Sequence, residues 1–290
     1  MNQKIHFLLI DPQNDFCDLP ADWRPLDPIT GATLAPALPV AGAHADMLRL
    51  GHLIRDGAPG IADITLTLDS HHRFDIAHPT FWQTGAGGEV APFTPITAAS
   101  VRAGDYLPKS APMLPRALAY LDELERRGRY TLMVWPVHCE IGSWGHNIHA
   151  AVKAACNQWE DRHRALANKV TKGSNPWTEH YSALQAEVPD DDDATTQLNQ
   201  GLIATLEEAD LIVVAGEASS HCVKATVEHL ADNLPSRQPA KIVLLTDCMS
   251  PVAGFDAQHR AFLADMATRG AKLSTSIELR ARLASVKMPA

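Results

Sequence analysis

Short apolar runs rich in β-branched residues recur along the chain and alternate with stretches of helical period. The runs predict strands at 5–10, 61–68, 130–135, 211–215 and 242–246, with a weaker one at 169–171. Apolar residues recur at helical spacing at Leu48, Leu50, Leu53 and Ile54, at Leu114, Leu118, Leu121 and Leu124, and at Leu202, Ile203 and Leu206. This alternation predicts a three-layer α/β fold with a doubly wound, mostly parallel sheet of about six strands between helices.

Two segments interrupt the alternation. The segment at about 17–41 is rich in proline, and the segment at about 83–115 is rich in glycine, proline and threonine. Both are predicted to be loop insertions rather than linkers between domains. The four aspartates at 190–193 predict a solvated acidic turn. Residues 1–290 are therefore expected to form a single domain.

The composition of the chain indicates which classes of partner are expected. The chain is 46% hydrophobic and 20% charged, which is typical of a soluble globular protein. Its formal net charge of −9 argues against a nucleic-acid surface, and no apolar segment approaches the roughly 18 residues of a membrane helix. We expect a small-molecule partner, with no nucleic acid and no membrane. A homo-oligomer is compatible with the helix face around 117–127, which could bury a second copy.

The cysteines indicate a reducing compartment. There are five, at Cys17, Cys139, Cys156, Cys222 and Cys248. Their odd number, uneven spacing and lack of a CxxC pair fit reduced thiols in a cytoplasmic protein better than a disulfide framework. The N-terminus runs directly into a predicted strand, so no signal peptide is expected.

The stretch 210–230 contains the strongest candidate nucleophile. It opens with a continuous apolar run, passes through glycine and small residues, and then takes up helical spacing. This pattern predicts a strand, a tight turn and a helix that begins near Cys222. Unpaired N–H groups at a helix N-terminus favour a thiolate, so Cys222 could be reactive. The alternative is that Cys222 is one more small buried apolar residue.

A polar residue follows each of five predicted strands. In chain order they are Asp11, then Asp69 and His71, then His138, then Lys172, then Cys222. Ligands of open parallel sheets bind beyond the carboxyl ends of the strands, so these side chains are expected to converge. An ammonium beside them would lower the pKa of the carboxyl and the thiol, and the carboxylate could take the thiol proton. Taken singly, Asp11 could cap a turn and Lys172 could be a surface lysine.

Asp69, His71 and His138 are candidate metal ligands. Residues two apart in an extended segment point to the same side, so Asp69 and His71 can share an ion. Two imidazoles and one carboxylate leave coordination positions open, which is typical of catalytic metal sites. Further histidines compete for the role, namely His72, His78, His146 and His149. Of these, His72 should point to the opposite face.

Five motifs carry these residues in order. They are Asp11-Pro-Gln-Asn-Asp-Phe16, Leu68-Asp-Ser-His71, Trp135-Pro-Val-His-Cys139, Lys172-Gly followed by His180-Tyr-Ser-Ala183, and Gly216-Glu-Ala-Ser-Ser-His-Cys-Val-Lys-Ala-Thr226. Together they resemble the isochorismatase-like cysteine hydrolase superfamily and, within it, the nicotinamidases. The resemblance covers nearly the whole chain except the two insertions.

The resemblance implies roles for six of these side chains. Asp11, Lys172 and Cys222 match its catalytic triad. Its metal ligands match Asp69, His71 and His138. The implied cofactor is a divalent metal, with Zn²⁺ as the first choice and Mn²⁺ or Fe²⁺ as alternatives. The ion would contact the pyridine nitrogen of the substrate directly or through water.

The resemblance also implies an oxyanion hole and an aromatic pocket. A non-proline cis peptide at Glu217–Ala218 would aim the backbone amides of Ala218 and Cys222 at the oxyanion. The pocket matches three aromatic residues, Phe16, Trp135 and Tyr181. Each of these could instead serve core packing.

The chain departs from the family pattern at four positions. Ser70 and His72 stand where the family often has Trp and Pro, Glu217 replaces an apolar residue, and His221 stands where many members have Tyr. These changes are expected to leave the chemistry intact and to affect the choice of substrate. The 83–115 insertion lies between the metal-binding segments and could form a lid.

The sequence therefore predicts a metal-assisted cysteine amidohydrolase, a nicotinamidase that converts nicotinamide to nicotinate and ammonia through a Cys222 thioester. One alternative is another amide or ureido hydrolase of the superfamily, which would keep the triad without needing a metal that faces a pyridine. A second is a catalytically silent binding or scaffold relative. A third alternative is a dinucleotide-binding regulator. The chain argues against it, because no GxGxxG turn follows its first predicted strand.

Overall fold

The computed structural model describes residues 3–284. Its strands are β1 (Ile5–Ile10), β2 (Asp63–Asp69), β3 (Trp82–Thr84), β4 (Thr94–Ile96), β5 (Tyr106–Pro108), β6 (Leu132–Val134), β7 (Asn168–Lys172), β8 (Leu211–Gly216), β9 (Ile242–Leu245) and β10 (Lys272–Ser274). Its helices are α1 (Ala43–Gly57), α2 (Ala98–Arg102), α3 (Leu114–Arg127), α4 (Ala150–His163), α5 (Gln200–Glu207), α6 (Cys222–Asn233), α7 (Asp256–Thr268) and α8 (Ser276–Ala284).

Six strands form a parallel sheet in the order β10-β9-β8-β1-β2-β7. Every residue of β1 and of β8 is buried, as their continuous apolar runs predict for central strands with both faces covered. The predicted α/β class and the six-stranded parallel sheet are confirmed. The edge strand β10 was not predicted, because Lys272–Ser274 is short and its side chains are largely exposed.

The predicted strand at 130–135 does not join this sheet. It is shortened to β6, which pairs antiparallel with β4. An apolar run shows that a segment is buried but not which partner it pairs with, and the partner here comes from the insertion. His138 therefore does not follow a strand of the parallel sheet, as the sequence suggested.

The 83–115 insertion is not a plain loop, which corrects the prediction. It contains β3, β4, α2 and β5, and α2 begins with a capping box between Thr97 and Ser100. Together with α3 and β6, these elements bury a second apolar cluster that includes Phe81, Trp82 and Leu121. Three-residue strands are too short to give a periodic signal. In contrast, the described structure of 17–41 has one 3₁₀ turn, at Ala21–Trp23, and two isolated β-bridges, Cys17 with Val40 and Leu26 with Thr33.

The helices pack through the faces that the helical spacing indicated. Helix α1 buries Leu50, Leu53 and Ile54 and packs against α4 and α8, while α6 packs against β8 and α7. Helix α5 buries Leu202 and Leu206. Within residues 3–284, no helix is both long and apolar enough to span a bilayer.

Candidate active site

The candidate site lies at the carboxyl edge of the parallel sheet, around its central strand. Asp11 directly follows β1, and β1 lies between β8 and β2, where the direction of the connections reverses. Asp69 ends β2 and pairs in register with Lys172, which ends β7. Cys222 is the first residue of α6, after the turn that follows β8. The topology brings these four side chains together at the point where open α/β sheets bind ligands.

Lys172 lies at the centre of this group. Its Nζ atom is 3.0 Å from Oδ2 of Asp11, 2.9 Å from Oδ1 of Asp69 and 3.6 Å from Sγ of Cys222. It also donates a hydrogen bond to the carbonyl oxygen of His180 at 2.9 Å. All four side chains are buried. The residues predicted to form a triad are therefore adjacent, and one ammonium contacts two carboxylates and the thiol.

Burial and charge act in opposite directions on the two charged members of the triad. Burial disfavours the charge of Lys172, but Asp11 and Asp69 outweigh it and hold the lysine pKa well above its usual value. Burial raises the pKa of Asp11, and Lys172 and a 2.5 Å hydrogen bond from Thr67 only partly oppose this. Lys172 is therefore charged, and Asp11 is a stronger base than an ordinary aspartate.

The ammonium of Lys172 lowers the pKa of the thiol and of Asp11, as expected, but burial outweighs it and the net shift of both pKa values is upward. Burial is the largest effect on Cys222 and raises the pKa of its thiol well above the usual range, while Lys172 opposes the shift. The sequence indicated the neighbours of the sulfur but not how completely they exclude water. The resting group is consequently a thiol, which requires a base to become a nucleophile.

The turn between β8 and Cys222 contains a cis peptide bond between Glu217 and Ala218. The amides of His221 and Val223 both donate to the carbonyl oxygen of Ala218, at 3.0 and 3.1 Å. Within residues 3–284, the amides of Ala218 and Cys222 themselves have no acceptor, and both residues line the cavity. Two unused donors beside a thiol can stabilise an oxyanion.

The turn approaches β1 so closely that it requires glycine at its start. Gly216 has a φ of +120°, and a Cβ atom there would lie 1.9 Å from the carbonyl oxygen of Ile10. Only glycine adopts this conformation without strain and leaves room for the neighbouring strand. The close approach holds the end of β8 against the strand that carries Asp11.

Glu217 stabilises the turn through hydrogen bonds to a neighbouring segment. Its Oε2 atom accepts a 3.0 Å hydrogen bond from the amide of Ser250, and Ser250 Oγ donates to Asp46 at 2.6 Å. The amide of Ser219 donates to the carbonyl oxygen of Ser250 at 2.9 Å. Burial raises the pKa of the Glu217 carboxyl well above its usual value. The acid that departs from the family pattern therefore joins the turn to α1 through Ser250, a partner that no sequence signal indicated.

The three predicted metal ligands also converge. Oδ2 of Asp69 is 3.1 Å from Nε2 of His71 and 3.4 Å from Nε2 of His138. Ligand atoms bonded to one tetrahedral Zn²⁺ at about 2.0–2.2 Å lie about 3.3–3.6 Å apart, so these separations are close to those that a single ion requires. The set of one carboxylate and two imidazoles suits Zn²⁺ and other first-row divalent ions.

The hydrogen bonds behind the two imidazoles support the same fit. Nδ1 of His71 lies 3.1 Å from Asp75, and Nδ1 of His138 lies 2.8 Å from the carbonyl oxygen of Pro136. Asp69 and Asp75 outweigh burial and raise the pKa of His71 well above its usual value. With a proton on each Nδ1, the two Nε2 atoms, which face Asp69, would be the atoms that bind an ion, and such outer partners are typical of metal-binding histidines.

His78 is a further candidate ligand that the sequence named only as a competitor. Its Nε2 atom lies 3.3 Å from Nδ1 of His138, and ligand atoms of His71, His78 and His138 all lie within 4.8 Å of one another. Burial lowers the pKa of His78 to about 2, so its imidazole is neutral. It lies in an irregular segment, where no periodicity could place it beside His71.

The other competing histidines are directed elsewhere. His72 is exposed, as its alternation with His71 predicted. His146 contacts the hydroxyl of Ser70 at 2.8 Å, and His149 contacts His44 at 3.0 Å. None of these three belongs to the group around Asp69.

The predicted aromatic residues line one cavity beside Cys222. Phe16, Trp135 and Tyr181 all contribute to its wall, and Trp135 Nε1 donates to the hydroxyl of Tyr181 at 3.0 Å. The ring of His221 lies 5.2 Å from that of Trp135. The wall also includes residues that were not predicted to bind substrate, namely Leu38, Glu179, His221 and Val252. The cavity therefore has an aromatic lining with a thiol, two of the candidate metal ligands and an additional acid on its wall.

Comparison with known proteins supports the fold. No protein-family model matches the sequence, and no curated protein matches it. Among solved structures, the yeast nicotinamidase Pnc1p bound to nicotinaldehyde aligns over 93% of this chain and 99% of its own, with a TM-score of 0.61 and 18% identity. The pyrazinamidase of Pyrococcus horikoshii in complex with zinc aligns over 94% and 99%, with a TM-score of 0.52 and 17% identity.

An isochorismatase-like hydrolase from Alkaliphilus metalliredigens aligns over 96% of this chain and 98% of its own, with a TM-score of 0.52 and 14% identity. At these identities the likeness concerns the fold. The chain therefore has the fold of the nicotinamidases and isochorismatase-like hydrolases, which its sequence motifs predicted.

Proposed function

We propose that the protein is a cysteine hydrolase of carboxamides and that nicotinamide is its substrate. The observation that carries the proposal is the contact of the Lys172 ammonium with both Asp11 and the thiol of Cys222, at 3.0 and 3.6 Å. A buried acid, amine and thiol at a sheet edge have no structural purpose that apolar residues would not serve better. Perturbed titratable groups of this kind, beside a cavity, are typical of active sites.

The reaction begins with proton transfer. Asp11 takes the proton of Cys222, and the charge of Lys172 keeps the resulting thiolate stable in a buried site. The sulfur then attacks the carboxamide carbon, and the carbonyl oxygen becomes an oxyanion that accepts hydrogen bonds from the amides of Ala218 and Cys222. Removal of one such donor costs about 2.7–4 kcal/mol in other hydrolases.

The second half of the reaction reverses these roles. The tetrahedral intermediate expels ammonia, which takes its proton from Asp11, and the acyl group remains on Cys222 as a thioester. Asp11 then takes a proton from water as the water oxygen attacks the thioester carbon. The C–S bond breaks, the sulfur recovers its proton from Asp11, and the carboxylic acid leaves.

Asp69, His71 and His138 would hold a divalent metal, with His78 as a further candidate ligand. When bound, the ion would supply a Lewis acid that orients the ring of the substrate. The nucleophile is the sulfur, so the contribution of these residues is positioning. The zinc complex of the Pyrococcus horikoshii pyrazinamidase supports Zn²⁺ as the first choice.

An ammonia-release assay tests the proposal. The purified protein is assayed with nicotinamide, with pyrazinamide and with ureido compounds, each with and without a chelator. We expect release from nicotinamide that falls when the metal is removed, together with an acyl adduct on Cys222 in mass spectra of the quenched enzyme. Release from ureido compounds alone, insensitive to chelator, would favour another hydrolase of the superfamily. Absence of ammonia from every compound would overturn the proposal.

A further inference from the structure

Gln13 and Asp15 are buried polar residues of the motif that follows β1, and the mechanism above does not use them. Neither is among the described residues that line the cavity beside Cys222. Their hydrogen bonds go instead to the backbone around the three candidate metal ligands. Buried polar side chains that bind backbone at several points are suited to holding segments together.

Gln13 holds the backbone of Asp69 at two points. Its Oε1 atom accepts a 2.7 Å hydrogen bond from the amide of Asp69, and its Nε2 atom donates to the carbonyl oxygen of the same residue at 2.8 Å. Nε2 also donates to the carbonyl oxygen of His146 at 3.0 Å. A side-chain amide that pairs with both backbone groups of one residue uses its donor and its acceptor together. Gln13 therefore fixes the main chain from which the Asp69 carboxylate extends.

Asp15 acts on the two histidine ligands through Cys139. Its Oδ2 atom accepts a 2.7 Å hydrogen bond from the amide of Cys139, the residue that follows His138. The carbonyl oxygen of Cys139 in turn accepts from the amide of His71 at 3.1 Å. The two backbone groups of Cys139 thus link the carboxylate of Asp15 to both segments that carry the imidazoles.

The backbone of Cys139 has a conformation that requires such support. Its φ is +46°, in the left-handed region that residues with a Cβ atom rarely adopt. Such a conformation persists only where its surroundings hold it. The carboxylate that holds it is itself confined, because a Cβ atom at Gly145 would lie 2.1 Å from Oδ2 of Asp15. The turn after His138 is therefore set by a carboxylate with little room to move.

The other oxygen of the Asp15 carboxylate contacts the 17–41 insertion. Oδ1 accepts a 2.9 Å hydrogen bond from the amide of Ala37, and the backbone carbonyl oxygen of Asp15 accepts from the amide of Leu38 at 3.1 Å. Leu38 lines the cavity. Both carboxylate oxygens are thus engaged by backbone amides, so Asp15 holds neighbouring segments in position instead of binding an ion itself.

We propose that Gln13 and Asp15 are positioning residues that preorganise the candidate metal-binding group by holding its main chain. The inference rests on the proposed function, in which this group holds a divalent metal. Ligands that are already close to the separations that one ion requires lose less freedom when the ion binds, so preorganisation raises affinity. Loss of a hydrogen-bond partner behind a metal ligand typically weakens metal affinity about 10–100-fold.

The test measures Zn²⁺ affinity without any substrate, by competition with a chromophoric chelator. Gln13→Met keeps the length of the side chain but not its hydrogen bonds, and Asp15→Ala removes both acceptors. Each should weaken Zn²⁺ binding about 10–100-fold. With Co²⁺ in place of Zn²⁺, the visible absorption bands of both variants should differ from those of wild type. Asp15→Asn keeps one acceptor oxygen, so it should lose about 3–10-fold, and it carries the test if Asp15→Ala does not fold.

Asn14→Ala is the matched control. Asn14 is buried between the two positioning residues, and its Nδ2 atom donates to the carbonyl oxygen of Trp144, which is not a candidate ligand. This variant should keep Zn²⁺ affinity within about threefold of wild type, even if its Tm falls as far as that of the other variants. An equal loss of affinity in Asn14→Ala would overturn the proposal, as would unchanged affinity in Gln13→Met or in both Asp15 variants.

The affinity measurement also separates this proposal from the proposed hydrolysis. If wild type binds Zn²⁺ but releases no ammonia from any amide, the hydrolysis fails, and the affinities still decide the role of Gln13 and Asp15. If the hydrolysis holds, Gln13→Met and Asp15→Ala should raise the KM for nicotinamide at limiting Zn²⁺, and excess Zn²⁺ should bring it back toward the wild-type value. Absence of Zn²⁺ binding by wild type would overturn the proposal.

Discussion

The Nζ atom of Lys172 lies 3.6 Å from the Sγ atom of Cys222, and both side chains are buried. The same Nζ atom contacts carboxylates of Asp11 and Asp69. One amine thus joins the group that would carry the acyl intermediate to the group that would hold the metal. Several measurable consequences follow from this arrangement, and each concerns a different contact.

Replacement of the nucleophile should abolish turnover. Cys222→Ala should reduce ammonia release from nicotinamide roughly 10⁴-fold or more, because Cys222 is the only cysteine within residues 3–284 that lines the cavity. Circular dichroism and thermal unfolding should show an intact fold, since alanine fits the buried position. Cys156→Ala is the control, because Cys156 is buried in α4 away from the cavity. Appreciable turnover by the Cys222 variant would exclude a thioester.

Removal of the lysine charge should make the thiol less acidic. Burial raises the pKa of Cys222 and Lys172 lowers it, so Lys172→Met should shift the alkylation profile with iodoacetamide upward by about one to three pH units. Lys224→Met is the control, because Lys224 lies on the same helix as Cys222 but pairs with Glu228. An alkylation profile identical to that of wild type would show that Lys172 does not lower the pKa of the Cys222 thiol. The variant should also lose about 3–5 kcal/mol of unfolding free energy, since two buried carboxylates lose their partner.

The fall of activity at low pH should report the pKa of Asp11, the proposed general base. Asp11 must be ionised to take the thiol proton, so kcat/KM should fall as the pH drops through its pKa. The hydroxyl of Thr67 stabilises the carboxylate and lowers this pKa, so Thr67→Val should raise it and move the limb to higher pH, by about half to one unit. Thr65→Val, on the same strand, should leave the limb in place. A shift to lower pH would contradict the assignment.

Two adjacent histidines provide a test of the metal group. Wild-type protein should bind about one divalent ion per chain, as measured by elemental analysis after dialysis. His71→Ala should lose the ion, whereas His72→Ala should keep it, because His72 is exposed. Asp75→Asn should weaken affinity about 10–100-fold through its hydrogen bond to His71. Equal ion content in the two histidine variants would disprove the ligand set.

Glu217 should affect the chemical step more than substrate binding. Glu217→Ala leaves the amide of Ser250 without its acceptor and frees the turn that carries the two oxyanion donors. We expect a fall of about tenfold in kcat with little change in KM, and a loss of about 1–3 kcal/mol of stability. Glu217→Gln keeps an acceptor oxygen at the same place, so this variant should retain most of the wild-type kcat and most of the stability. If KM rose and kcat were unchanged, the residue would serve binding instead.

Much of the site could be predicted because its members are anchored to strands. Asp11, Asp69 and Lys172 occupy the ends of apolar runs, and parallel strands bring such ends to one edge of the sheet. The motifs indicated the residue types, and the order of the runs indicated their meeting point. The sequence predicted that these residues meet at this edge of the sheet, but not the distances between their side chains.

The remaining features depend on contacts between segments that have no periodic signal. His78, Glu179 and Ser250 lie in irregular segments, so their approach to the cavity results from tertiary packing. Strand β6 was assigned to the wrong sheet because its partner β4 lies in the insertion. Lys172 lowers the pKa of the Cys222 thiol, as predicted, but the net shift is upward, because the sequence does not report how fully Cys222 is buried.

The second apolar cluster has a consequence for how the shape of the cavity could change. Trp135 and His138 lie within four residues of the end of β6, which contributes Leu132 and Val134 to that cluster, whereas the acid, amine and thiol are carried by the parallel sheet. Mutations within the cluster can therefore reshape one wall of the cavity while the reacting groups keep their separations. If the proposed hydrolysis holds, the choice of substrate could change in this way while the reacting groups stay in place.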